Sequence, residues 1–289
     1  MMAQLTLFPQ DKVEKWSKIR PDTYVKNGQK TSAATPIKQA LVDKIFKINI
    51  RCVSAILNRQ SWANSIYHYF DLNAGPEPGE SKNGAISFLT EMIEHRRRFK
   101  CPDFKAILID NNKSKLEDLQ TRIDKLITKL NPIEEKYFNK AIVVQQGDNE
   151  EIARQYLPGD DKTFGLIYND PYGKAAFNLF TDFSLNYPKI DILINCNCVI
   201  LKRVKNSSAH PDYKDLETYL TNIDKTYRVC SDRLLPTQQW LMMLLTNWGG
   251  YPKATGMNLT PLDEEKWNTV LTKANFTREE IKNGKKYTN

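Results

Sequence analysis

Cysteines are few and carry no pattern. The five present, an odd number, show no Cys-x-x-Cys spacing, and Cys196 and Cys198 lie two apart inside an apolar run. That argues against a zinc ligand set and against a disulfide framework, and it leaves reduced core thiols, as expected of a cytoplasmic protein with no metal. Long apolar runs are missing as well: none approaches the roughly 20 residues of a membrane span. The opening MMAQLTLFPQ lacks the basic start and extended apolar segment of a signal peptide. These absences predict a soluble, intracellular chain with no membrane partner. The Gly-x-Gly-x-x-Gly of a dinucleotide fold is also absent. After the aromatic run ending at Asp71 the glycines fall at Gly75 and Gly79, with Pro76 and Pro78 between them, a spacing that argues against a standard pyrophosphate grip.

What is present bounds the rest. With 289 residues and 40% hydrophobic content, the chain can bury one substantial core, so one main domain is expected. Lys and Arg number 42 against 34 Asp and Glu, a formal charge of +8, and that balance favours a polyanionic partner such as nucleic acid. Residues 1–36 are polar, lysine-rich and broken by Pro9, Pro21 and Pro36, which reads as a basic N-terminal extension.

From Ile37 to Leu57 apolar residues recur at helical intervals with Lys and Arg between them, predicting a basic amphipathic helix. The stretch Tyr67 to Gly79, YHYFDLNAGPEPG, then reads as a strand feeding a turn: aromatics favour an extended, half-buried strand, and Asn73, Ala74, Gly75 and Gly79 let backbone approach a ligand. Ile86, Leu89 and Ile93 mark the next helix, which ends in Arg96, Arg97 and Arg98. Those arginines suit phosphates, and equally a solvated helix end that favours the dipole. Phe104–Ile109 is a buried strand closed by Asp110, and Leu116 to Leu130 trace one helical stripe ended by Asn131 and Pro132.

Ala141–Val144 ends at Gln145, Gln146, Gly147 and Asp148; residues 149–157 read as a helix; Phe164–Tyr168 runs into Asn169, Asp170, Pro171, Tyr172 and Gly173. Residues 174–186 read as a helix, 190–201 as a strand with its continuation, and Gln239–Thr246 as a late strand or a short buried helix. The domain expected is therefore 37–250, with the polar, basic segment 202–235 as a substrate-contacting insertion and 251–289 as a C-terminal loop and helix around 263–274.

Such alternation predicts an α/β, Rossmann-like sheet, mostly parallel, with helices on both faces. Ligands bind such sheets beyond the carboxyl ends of the strands. Asp71, Asp110, Asp148 and Asp170 are expected on that one rim, although each also fits a helix N-cap. A small turn followed by two strand-end acids suits a ligand with a cationic amino acid end, a ribose diol and an adenine, and S-adenosylmethionine is such a ligand. On this reading Asp110 accepts from the ribose hydroxyls, Asp148 from the adenine amine, and the backbone of Asn73 to Gly79 borders the methionine moiety. Asp170 or Asn169, with a nearby main-chain carbonyl, would accept the hydrogens of an exocyclic base amine. Tyr172 would stack on the extruded base and Pro171 would fix the backbone.

The series DLNAGPEPG, LIDNN, QQGD and IYNDPYG resembles class I S-adenosylmethionine-dependent methyltransferases, and its last element resembles the D-P-P-Y type motif of enzymes that methylate base amines. The basic helix, the turn, the D-P-Y-G element and ILINCNCVILKR are similar to the three-Cys-motif partner group, over roughly residues 36–250. Only one proline stands in NDPY, so two alignments remain, with Asp170 or with Asn169 at the acceptor position; Asp170 is favoured because it directly precedes the proline. The resemblance implies a methyltransferase acting on nucleic acid, with N6 of adenine in DNA favoured over RNA and low sequence selectivity expected; the alternative is a methyltransferase-like module that binds nucleic acid without turnover. Lys202, Arg203 and Lys205, with the three arginines of 96–98, are the candidates for tracking phosphates.

Overall fold

Near-continuous apolar strands must be covered on both faces, and the strand cores of this chain, such as Phe164–Asn169, are buried at every position. The computed structural model describes residues 24–26, 29–31, 35–59, 66–76, 83–98, 103–157, 163–171, 175–197, 222–231, 240–249 and 259–262. A hairpin of β1 (Tyr24–Lys26) and β2 (Gln29–Thr31) lies within the N-terminal extension. The domain then follows as α1 (Thr35–Arg59), β3 (Ile66–Asp71), α2 (Gly84–Arg98), β4 (Asp103–Asp110), α3 (Lys113–Ile127), α4 (Pro132–Ala141) and β5 (Ile142–Gln146). After these come α5 (Asn149–Gln155), β6 (Phe164–Asn169), α6 (Phe177–Asn186), β7 (Ile190–Asn197), β8 (Tyr227–Ser231), β9 (Trp240–Thr246) and β10 (Leu259–Pro261).

The main sheet has the order β10-β8-β9-β7-β6-β3-β4-β5. β5, β4, β3, β6 and β7 run parallel, while β9 pairs antiparallel with both β7 and β8. This is the expected α/β, Rossmann-like arrangement. The chain leaves β3 for β4 and β5 on one side and returns to β6 on the other, so the switch point lies between the ends of β3 and β6.

Alternate strand residues enter two cores. Tyr67, Tyr69, Ala106, Leu108, Leu166 and Tyr168 pack with Val42, Ile45, Phe46, Phe88 and Leu119 of α1, α2 and α3. Phe70, Ile107, Ile109 and Ile167 pack on the other face with Ile152, Phe177, Phe180 and Phe183 of α5 and α6. Phe46 meets the rings of Tyr69, Phe88 and Tyr168 edge-on at 5.6, 5.6 and 5.5 Å, contacts typically worth about 0.5–1.5 kcal/mol each beyond burial. They fix α1 against the sheet with its first turn at the rim.

Two elements differ from the sequence pattern. Pro132, read as a stop, is also a start: Asn131 caps α4 by accepting from the N–H groups of Ile133 and Glu134, and Pro132 follows at the first turn. The polar segment 202–235 contributes β8 to the sheet. Trp240–Thr246 is a strand, the first of the two forms expected for the late apolar run. The continuation of β7 beyond residue 197 and the expected helix at 263–274 lie outside the described residues. Among the described residues no helix is long and apolar enough to cross a membrane.

Candidate active site at the strand ends

The parallel register sets Asp71 opposite Leu108 and Tyr168, and Asp110 opposite Gln146. Asp71 and Asp110 therefore end β3 and β4 on one rim, with Asp170 one residue beyond β6 and Asp148 two residues beyond β5. Backbone bonds continue past the strands, from Leu72 N–H to the Tyr168 carbonyl (3.0 Å) and from Ala74 N–H to the Ile109 carbonyl (2.9 Å). The turn after β3 is consequently held between its two neighbours.

Three asparagines secure that turn further. Asn83 donates to the Ala74 carbonyl (2.6 Å) and accepts from Ile86 N–H (3.0 Å) at the start of α2. Asn149 donates to the Leu72 carbonyl (3.1 Å), and Asn169 donates to Asn73 Oδ1 (2.6 Å). Gly75 N–H donates to Asp110 Oδ2 at 3.1 Å, and a Cβ on Gly75 would stand 2.5 Å from the Lys115 Cβ and 2.6 Å from that oxygen. No other residue fits there without moving the wall of the turn.

The four acids are not equivalent. Asp71 is 1% exposed and accepts from the Tyr69 hydroxyl and the Asn73 N–H, both at 3.1 Å. Burial pushes its carboxyl up to about 7; those two bonds oppose the rise, and the charges of Asp170 and Asp110 add to it. Asp110, half-buried, accepts from Gly75 and, through Oδ1, from Asn112 N–H at 2.8 Å. Asp148 caps α5, its Oδ1 accepting from the N–H groups of Glu150 and Glu151 at 2.9 and 3.0 Å. For Asp148, then, the N-cap alternative is realised.

Asn169 and Asp170 separate clearly. Asn169 is fully buried, with its amide spent on Asn73 and its oxygen accepting from Ala176 N–H at 3.3 Å. Asp170 keeps 22% side-chain exposure and accepts from three donors: Lys38 Nζ at 2.5 Å, Asn195 Nδ2 at 2.6 Å and the Tyr168 hydroxyl at 3.2 Å. Pro171 is buried beside it. Lys38 and Asn195 were not among the residues the sequence pattern singled out. Lys38 reaches Asp170 across 132 residues, a separation that no local spacing reports. Asn195 had a visible signal, a polar residue in the apolar strand IDILINCN.

The arginines of 96–98 sit elsewhere. Arg96 lies 3.8 Å over the Tyr137 ring and 3.8 Å from Asp103, at the amino end of β4, so the group occupies the edge of the sheet opposite the acids. Arg97 bonds Glu134 at 3.3 and 3.4 Å, and Arg98 lies 3.8 Å from Glu94. Gly79, Tyr172, Lys202, Arg203 and Lys205 lie outside the described residues.

No family model matches the sequence, and no curated protein matches it. Solved structures do match by shape. A Legionella pneumophila protein is 13% identical, with 81% of this chain and 93% of that one covered at a TM-score of 0.43. The C-terminal domain of precorrin-6Y C5,15-methyltransferase from Rhodobacter capsulatus is 13% identical, with 84% and 98% covered and a TM-score of 0.36. An SAH-bound methyltransferase from Podospora anserina is 10% identical, with 83% and 98% covered and a TM-score of 0.36.

Proposed function

We propose that this chain is an S-adenosylmethionine-dependent methyltransferase acting on the exocyclic amine of a nucleic-acid base, with N6 of adenine in DNA as the favoured acceptor. The observation that carries the reading is the convergence of Asp71, Asp110 and Asp170 on the switch point, around a turn closed to any side chain at Gly75. That cradle and the acidic acceptor groups fit the cofactor. Asp110, with lone pairs left beyond its two amide bonds, suits the ribose hydroxyls; Asp148 suits the adenine amine; and the Asn73–Gly75 backbone borders the methionine moiety. The cofactor supplies an activated methyl group on a sulfonium, so the protein needs only to align a nucleophile.

Asp170 is the acceptor for the amine hydrogens, since Asn169 is committed to the turn. The chain reads best as a relative of the D-P-P-Y type amino methyltransferases and of the three-Cys-motif partner group. Transfer of labelled methyl from S-adenosylmethionine to unmethylated DNA, to RNA or to neither tests this. Label on adenine N6 of DNA is expected. Label in RNA alone would move the substrate, and label in neither would leave a binding module without turnover.

Asp71 makes binding depend on pH. Its folded pKa of about 7 is raised, so the carboxyl contributes stability to the free protein below the ordinary carboxylate range, lost as pH rises through about 7. The cationic cofactor favours the opposite, ionised form. Affinity measured by calorimetry from pH 5.5 to 8.5 is expected to tighten about ten-fold through that window, with proton release near pH 7. Asp71→Asn should flatten the dependence, and a flat wild-type profile would remove Asp71 from the site.

A further inference from the structure

Methylation of an amine places positive charge on nitrogen as the new bond forms, and a carboxylate beside it helps in proportion to the charge it still offers. Asp170 is already paired with the Lys38 ammonium at 2.5 Å, and it receives Asn195 and Tyr168 as well. The resting site thus holds a cation where the reaction needs a bare anion. Lys38 has no need of a permanent place there. Its pair with Asp170 opens to solvent, at 28% and 22% side-chain exposure, so water screens it and little is lost on parting. The helix beneath is fixed, by the Phe46 contacts and by Gln39, which donates to Ser87 Oγ on α2 at 2.9 Å and to Asp43 at 2.8 Å. Only the lysine stem has to swing. Lysine suits this, as a compact charge on a flexible four-carbon arm.

Resting on the reading of this site as a nucleic-acid amine methyltransferase, we propose that Lys38 is a specificity-determining residue that passes from Asp170 to a phosphate of the acceptor strand. Asp170 is then released to the base only when the base arrives on a phosphodiester backbone. A free nucleoside brings no anion to draw Lys38 away and meets a neutralised carboxylate. The hand-over breaks one ion pair and forms another, with no bond made and no proton moved.

The test is binding of a mixed-sequence single-stranded deoxyoligonucleotide to the full-length chain, followed by fluorescence anisotropy over a salt series. Lys38→Met is expected to weaken binding about five- to ten-fold and to lower the slope of log K against log salt by about one. Asp170→Asn, which takes the carboxylate charge away from Lys38, is expected to tighten binding about three-fold or more, an opposite sign that a merely structural pair would not produce. Affinity and salt slope unchanged in both variants would overturn the proposal. These readouts need no turnover, so a protein that methylates nothing would sink the catalytic reading while leaving the phosphate contact measurable. Where transfer is seen, Lys38→Met should accept free adenosine about ten-fold better, relative to the oligonucleotide, than wild type; an unchanged ratio would overturn the gating.

Discussion

Asp170→Ala is expected to abolish methyl transfer, by about 10³-fold or more, while cofactor affinity changes less than about three-fold. The reason lies in what each acid touches. Asp170 follows β6 and receives Lys38, Asn195 and Tyr168, none of which belongs to the turn that would border the cofactor. That turn is instead held by Asn83, Asn149, Asn169 and Asp110. Truncating Asp170 therefore removes the acceptor for the substrate without loosening the Asn73–Gly75 backbone. Stability should fall by about 1–3 kcal/mol, because the buried Asn195 amide loses its acceptor, while the partly exposed ion pair adds about 1 kcal/mol or less. Single-turnover transfer of labelled methyl, run beside calorimetry and a thermal melt, separates the three quantities. Residual transfer near the wild-type rate would move the acceptor role to another group.

Gly165→Ala is expected to cost about 3 kcal/mol or more and to lower the melting temperature by roughly 10 °C. Gly165 lies in β6 opposite His68 of β3, at the pairing that joins the two halves of the sheet. A Cβ built there stands 2.0 Å from the His68 carbonyl oxygen, which is backbone and cannot swing aside. Either the strand pair separates or β6 shifts, and both displace Asn169 and Asp170 relative to Asp71. Cofactor affinity should fall together with stability, unlike the outcome for Asp170→Ala. An unchanged melting temperature would contradict the register drawn between β3 and β6.

The strand ends were legible because apolar runs closing on an acid are local signals. IYHYFD and DFKAILID end on their acid and FGLIYN ends one residue before Asp170, so burial and acid lie within a few positions, and all three became neighbouring strands. The helix of 37–57 was legible for the same reason. Its role was not: the placing of Lys38 on Asp170 depends on how α1 crosses the sheet, which is set by Phe46 meeting three aromatic rings from distant segments. β8 was missed because YRVCS sits within a polar stretch and is placed in the sheet only by its distant partners, β9 on one edge and β10 on the other. Asp148 showed the ambiguity of a strand-end acid directly, capping a helix from a position two residues beyond β5. The arginines of 96–98 had two local readings, and the acids Asp103, Glu134 and Glu94 beside them fit the helix-end one.

The acceptor role proposed for Asp170, and its gating by Lys38, presume that the acid rim holds a sulfonium cofactor. Calorimetric titration of the full-length chain with S-adenosylmethionine, repeated on Asp110→Ala, tests that most directly. One saturable site per chain is expected, with a matching rise in melting temperature and affinity reduced about ten-fold or more when Asp110 is truncated. No heat and no thermal shift at any cofactor concentration, or the same affinity with and without the Asp110 carboxylate, would contradict it.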